Sequence, residues 1–219
     1  MTNLTDNKMK VLSLYDYSGV MVQPWIEHGY VGVLVDIQHM PGISSTESTI
    51  WVGGDVLKWE EVLKQTNNVC FIAAFPPCTD LAVSGARWFA QKRVKNPQFQ
   101  KQAMDLFYAA KRIAEKLNVP YMIENPVSVA ARLWRKPDYY FHPYQYSGYS
   151  AEDSYTKKTC LWTGNDFVMP EPYYDPSIKP DDRIHKMAPS SQRRNLRSRT
   201  PLGFARAVYY ANTLLKTSV

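Results

Sequence analysis

Val69-Cys70-Phe71-Ile72-Ala73-Ala74-Phe75-Pro76-Pro77-Cys78-Thr79 is the stretch on which the reading of the fold turns. The uninterrupted apolar run from Val69 to Phe75 suits a strand buried on both faces, the habit of a parallel sheet covered by helices. The two prolines that follow fix φ and remove backbone donors, so they end the strand in a rigid turn. That turn carries Cys78 at the carboxyl edge of the sheet, whereas Cys70 lies within the strand, where a structural thiol belongs. In open α/β sheets ligands bind beyond the carboxyl ends of the strands, so Cys78 is a candidate functional group.

Working outward, similar apolar runs occupy Val11 to Leu14, Val31 to Val35 and Tyr121 to Ile123, and a short strand precedes Gly53-Gly54-Asp55. Helices are expected near 20–29, 59–66 and 95–117. The last is amphipathic, with Ala103, Leu106, Ala110, Ile113 and Leu117 on one face. Alternation of strand and helix predicts an α/β fold with a mostly parallel central sheet and helices on both faces. From Ala130 onward the sequence reads as Tyr-, Pro- and Asp-rich loops over the sheet, with one strand at Thr159 to Thr163 and a closing helix near 202–215.

The 219 residues suffice for one substantial core, so 1–219 is expected to form a single domain. A hydrophobic share of 45% with 21% charged residues excludes a disordered chain. Net charge is +6, and Lys186, Arg193, Arg194, Arg197 and Arg199 concentrate it within 183–206. This is a polyanion footprint or a solvated basic loop. Three cysteines without paired or metal-ligand spacing predict a reducing, cytoplasmic setting and no metal. No apolar run approaches the roughly 20 residues needed to span a bilayer, so no membrane association is expected.

The ends of the other strands are equally rich. Tyr15-Asp16-Tyr17-Ser18-Gly19 turns the first strand into a helix, and Asp36 closes the second strand 20 residues after Asp16. An acid at that spacing can bind the ribose hydroxyls of a nucleoside cofactor, or either Asp can cap a turn. Val20-Met21-Val22 stands where a phosphate-binding loop would place further glycines, which argues against a pyrophosphate and less against S-adenosylmethionine. Asp55 is placed to meet an adenine amino group. Glu124-Asn125-Pro126 closes a further strand with a carboxylate whose pKa burial would raise, fitting it for acid catalysis near neutral pH.

Tyr17-Ser18-Gly19, Pro77-Cys78 and Glu124-Asn125-Pro126 resemble, in order and spacing, the Phe-Ser-Gly, Pro-Cys and Glu-Asn-Val marks of the DNA cytosine carbon-5 methyltransferase family. Gly85, seven residues after Cys78, matches the family's loop glycine, and Ser84-Gly85-Ala86-Arg87-Trp88 is closest to short phage-type members. The resemblance covers 11 to about 128. Beyond it, the family's Gln-x-Arg-x-Arg segment is best matched by Tyr155-Thr156-Lys157-Lys158-Thr159, which precedes a strand. Gln192-Arg193-Arg194 is the competing placement, with no strand after it.

The resemblance implies a Rossmann-like S-adenosylmethionine-dependent methyltransferase fold, S-adenosylmethionine as cofactor, DNA as partner and a bacterial or phage-infected cell. It implies cofactor contacts from Tyr17, Ser18, Gly19, Asp36, Ile37, Asp55 and Pro76. Catalysis would fall to Cys78 and Glu124 with Lys157 and Lys158, and substrate contacts to Arg87, Trp88, Asn125, Arg193, Arg194 and Arg197. The Cys78 thiolate would add to carbon 6 of the pyrimidine while Glu124 serves ring nitrogen 3, making carbon 5 nucleophilic. A free thiol ionises near pH 8.5, so Cys78 needs a nearby cation such as Arg87, Lys157 or Lys158. The target base must leave any duplex, with Trp88 or Tyr17 available to stack on it.

The family places a large target-recognition region before its final motif, but here only residues 163–200, a small basic insertion, separate the last strand from the final helix. Three readings follow: methylation of cytosine in DNA; modification of a free pyrimidine nucleotide or single-stranded nucleic acid by the same chemistry; or a catalytically silent nucleic-acid-binding relative.

Overall fold

The computed structural model describes residues 7–64, 67–187 and 197–213. Its centre is a seven-stranded sheet: β1 (Lys10–Leu14), β2 (Val31–Ser45), β3 (Thr49–Gly53), β4 (Val69–Ala74), β5 (Tyr121–Pro126), β6 (Tyr139–Phe141) and β7 (Thr159–Gly164), in the order β3-β2-β1-β4-β5-β7-β6. The neighbours from β3 to β5 pair parallel, and β7 runs antiparallel to both β5 and β6. The expected α/β architecture with a mostly parallel sheet is therefore observed, and it is compatible with a Rossmann-like arrangement.

The burial of β1 explains why this sequence forms a central strand. All five residues are inaccessible, with Leu12 and Leu14 in one core and Val11 in the other. The first core lies under α4 (Phe99–Leu117), whose Ala103, Met104, Phe107, Ala110, Ile113 and Ala114 recur at helical spacing. Phe107, rather than the expected Leu106, occupies the centre of that face. The helix ends at Asn118, which adopts a left-handed conformation (φ 50°) and donates its N–H to the Ala114 carbonyl. The expected helix 95–117 is divided: α3 (Phe89–Lys95) stops before Asn96-Pro97, and α4 starts afresh behind the proline.

The opposite face is covered by α1 (Gln23–Glu27) and the closing helix α7 (Leu202–Thr213), which bring together Trp25, Phe71, Phe204, Val208 and Tyr209. Gly203 allows this packing: a Cβ there would lie 2.3 Å from the Tyr146 carbonyl oxygen. Its N–H is bound by the buried Asp153 carboxylate at 2.6 Å, which ties the start of α7 to the loop before β7. Short helices α2 (Trp59–Leu63), α5 (Ala130–Leu133) and α6 (Arg183–Lys186) complete the described chain.

Two further elements depart from the sequence reading. β2 continues past Asp36 into Pro41–Ser45, whose partners on β3 descend from Gly53 to Ile50, so this second segment runs back along β3. It covers an edge that would otherwise be open. β6 lies in the region read as loops, because a three-residue strand leaves too little pattern to register. No helix among the described residues is long and apolar enough to cross a membrane.

Candidate functional site

Chain progression reverses between β1 and β4, since β2 and β3 extend the sheet one way and β5 the other. The crevice at such a switch point, beyond the carboxyl ends of the strands, is where α/β sheets bind ligands. On one side of it Asp16, 4% exposed, organises the β1 turn. One carboxylate oxygen accepts from Ser18 N, Ser18 Oγ and Gly19 N at 3.0, 2.9 and 2.8 Å, and the other from Ser13 Oγ at 2.7 Å. Gly19 takes the left-handed conformation that closes the turn (φ 68°). The amides of Ser18 and Gly19 are thus satisfied internally and are not offered to a phosphate, which fits a cofactor without one.

Asp36 is also buried; one oxygen, Oδ1, accepts from Gln38 N at 2.7 Å and from Gln38 Nε2 at 3.3 Å. Beside it Ile37 is 75% exposed, while Tyr17 stacks on His39 with ring centroids 5.5 Å apart. Asp55 caps the turn after β3 through Leu57 N at 2.9 Å. A buried carboxylate next to an uncovered aliphatic side chain and a surface aromatic ring suits a nucleoside: the acid for ribose hydroxyls, the apolar groups for the base faces.

On the other side of the crevice, β4 runs into the proline turn. Phe75 N is held by the Leu14 carbonyl at 3.0 Å, and Asn125 Nδ2 binds the Pro76 carbonyl at 2.8 Å. The Cys78 carbonyl accepts from Leu81 N and Ala82 N, closing a helical turn. The returning chain then pairs with the segment after β5 through Val83 N to Val127 O and Val129 N to Leu81 O. Cys78 is therefore fixed between backbone contacts to β1, β5 and the 127–129 segment.

Glu124 lies near the carboxyl end of β5 with its side chain 13% exposed, and Lys157 Nζ lies 3.7 Å from its Oε1. That is an ion-pair contact, too long for a hydrogen bond. Burial pushes the Glu124 carboxyl up, and the Lys157 charge opposes this. Burial likewise pushes the Cys78 thiol up, and the Glu124 carboxylate adds to it; Lys157 and Arg197 pull it down. Thiol, carboxyl and two cations thus share one electrostatic environment. Glu124 Oε1, Asn125 Oδ1 and Ser128 Oγ are buried without a hydrogen-bond partner among the described residues, an expensive condition outside a site that a ligand or water completes.

The predicted residues divide clearly. Cys78, Glu124, Asn125 and Lys157 converge around the proline turn, and Tyr17, Ser18, Gly19, Asp36, Ile37 and Asp55 lie at the neighbouring strand ends. Lys158 does not join them: its Nζ sits 4.9 Å over the Tyr140 ring. Its charge acts instead on Cys160, whose thiol burial holds at about 11. The described cations acting on Cys78 are Lys157 and Arg197; Arg87 lies over the Trp88 ring at 5.1 Å. Arg193 and Arg194 lie outside the described residues.

The role of Arg197 beside the thiol was not legible, because 119 residues separate it from Cys78 and its segment carries only a charge signal. Ser128 was equally hidden: nothing in its neighbourhood marks it until the 127–129 segment pairs with the turn. An open depression lined by Leu57, Lys58, Glu60 and Glu61 adjoins the Asp55 turn. Compared with protein-family models and with curated proteins, the chain finds no match.

Proposed function

We propose that this protein transfers a methyl group from S-adenosylmethionine to carbon 5 of cytosine in DNA through a covalent adduct with Cys78. The observation that carries the reading is the convergence of the Cys78 turn, the buried Glu124 carboxyl and Lys157 at the strand ends beside the switch point. The family resemblance of the same stretches supplies the reaction.

S-adenosylmethionine, when bound, supplies an electrophilic methyl group. Asp36 would bind its ribose hydroxyls, Ile37 and Tyr17 its base, and Asp55, the Ser18-Gly19 turn and Pro76 the remainder of the pocket. Cys78 forms a bond from sulfur to carbon 6 as the carbon 5–carbon 6 double bond opens, and Glu124, whose carboxyl burial pushes up, gives a proton to ring nitrogen 3. Carbon 5 then carries the electron pair that accepts the methyl group. Loss of the carbon 5 proton to solvent restores the double bond, expels the thiolate and returns the proton from nitrogen 3 to Glu124. Lys157 orients the Glu124 carboxyl and, with Arg197, favours the thiolate.

Mass spectrometry of nucleosides from DNA incubated with the protein and S-adenosylmethionine tests this directly. 5-Methylcytosine should appear with the intact chain and not with Cys78→Ala. Its formation at equal rate by the variant, or its absence from both duplex and single-stranded DNA with the intact chain, would sink the proposal.

A further inference from the structure

From the surface that continues the Cys78 turn, we propose that residues Val83–Lys95 form a stacking and phosphate-binding platform for an unpaired polynucleotide strand. The inference deepens the methyltransferase reading and rests on it for the identity of the neighbouring pocket. Three observations carry it.

The first is charge. Between Leu81 and Met104 there is no acidic residue, and Arg87, Lys92, Arg93, Lys95 and Lys101 all fall there. Lys92 is bound to Asp80 and Lys101 to Asp105, but Arg93 and Lys95 are exposed and make no ion pair among the described residues. In the basic stretch after residue 182, by contrast, Arg183 and Lys186 are paired with Asp181 and Asp182, and Arg206 is bound to the Tyr149 carbonyl. Arg93 and Lys95 of α3 thus stand ready for phosphates beside the Cys78 turn.

The second is a half-exposed aromatic ring. Trp88 is 51% exposed at the end of a 3-10 segment spanning Val83–Trp88, and the Arg87 guanidinium lies over its ring at 5.1 Å. An exposed indole with an arginine beside it offers a base face both stacking and cation–π attraction. Val83 and Val127, joined by a backbone hydrogen bond of 3.0 Å, are exposed alongside (48% and 37%) and extend the apolar surface.

The third is position. The platform begins five residues beyond Cys78 and is joined to it through the hydrogen bond from Ala82 N to the Cys78 carbonyl. A strand lying along α3 therefore leads into the site. Stacking on Trp88 requires a base whose face is free, so the occupant is single-stranded rather than paired.

Anisotropy of a labelled oligothymidylate of about 16 nucleotides reads this surface without cytosine or cofactor, so failure of methyl transfer would not affect it. The intact chain should bind it more tightly than a duplex of equal length, and Trp88→Ala should weaken binding roughly tenfold while Trp88→Phe retains most of it. Replacing Arg93 and Lys95 together by Ala should flatten the dependence of log Kd on log salt by about 1.4. Equal binding by Trp88→Ala, preference for the duplex, an unchanged salt slope, or equally tight binding of polyglutamate would each overturn the inference.

Discussion

The turns after β1 and after β4 lie side by side across the same crevice and handle their polar groups in opposite ways. In the first, the Asp16 carboxylate takes up four donors and leaves nothing unpaired. Around the second, Glu124 Oε1, Asn125 Oδ1 and Ser128 Oγ are buried without a hydrogen-bond partner among the described residues, and the thiol beside Glu124 is shifted away from its ordinary ionisation. A fully satisfied turn is a scaffold that fixes where the crevice lies. An unsatisfied one keeps its hydrogen-bonding capacity for whatever enters. Asp16, the acid that opens the crevice 20 residues before Asp36, is therefore structural, and the groups that remain available surround the proline turn.

The comparison breaks most readily at Cys78. Cys78→Ala should lower 5-methylcytosine formation by roughly a thousandfold or more, with a denaturation midpoint close to that of the intact chain. Coupled loss of activity and stability would mean that this turn is a scaffold too. Asp16→Ala should do the reverse and cost about 2–4 kcal/mol in urea denaturation, because it leaves backbone N–H groups of a buried turn unpaired. A change below about 0.5 kcal/mol would remove the distinction between the two turns.

Finer tests exploit the opposed charges at the thiol. The raised Cys78 pKa leaves less thiolate at neutral pH than a free cysteine has, so alkylation by iodoacetamide, mapped by mass spectrometry, should be slow there and accelerate as the pH rises. Glu124→Gln removes a group that raises the pKa and should speed Cys78 alkylation at fixed pH. Lys157→Met removes one that lowers it and should slow the reaction, each by roughly threefold or more. Changes of the same sign in both variants would contradict the arrangement. Cys160, held near 11, should stay unmodified throughout. On the cofactor side, Asp36→Ala should weaken S-adenosylmethionine binding about tenfold by calorimetry, the loss of one charged hydrogen-bonding group. Unchanged affinity would remove Asp36 from the cofactor site.

Much of this molecule could be read along the chain. The runs Val11–Leu14, Val31–Val35 and Val69–Phe75 became central strands because burial on both faces demands unbroken apolar sequence, and the Asp16 turn and the Pro76-Pro77 pair ended the first and the last of them where local sterics require. Cys78 and Glu124 were legible for the same reason, each standing immediately after such a run. What the sequence left open depended on contacts between distant segments. The partition of Lys157 from Lys158 needed the lead into β7, which turns one lysine toward Glu124 and the other onto Tyr140. The return of β2 along β3 needed a partner strand to give it register. The charge of Arg197 at the thiol, and the unpaired Ser128 beneath the proline turn, exist only because the chain brings residues far apart in sequence to one strand end. Periodicity and turn chemistry are local and survive in one dimension; desolvation and charge pairing depend on neighbours, and those the tertiary structure alone decides.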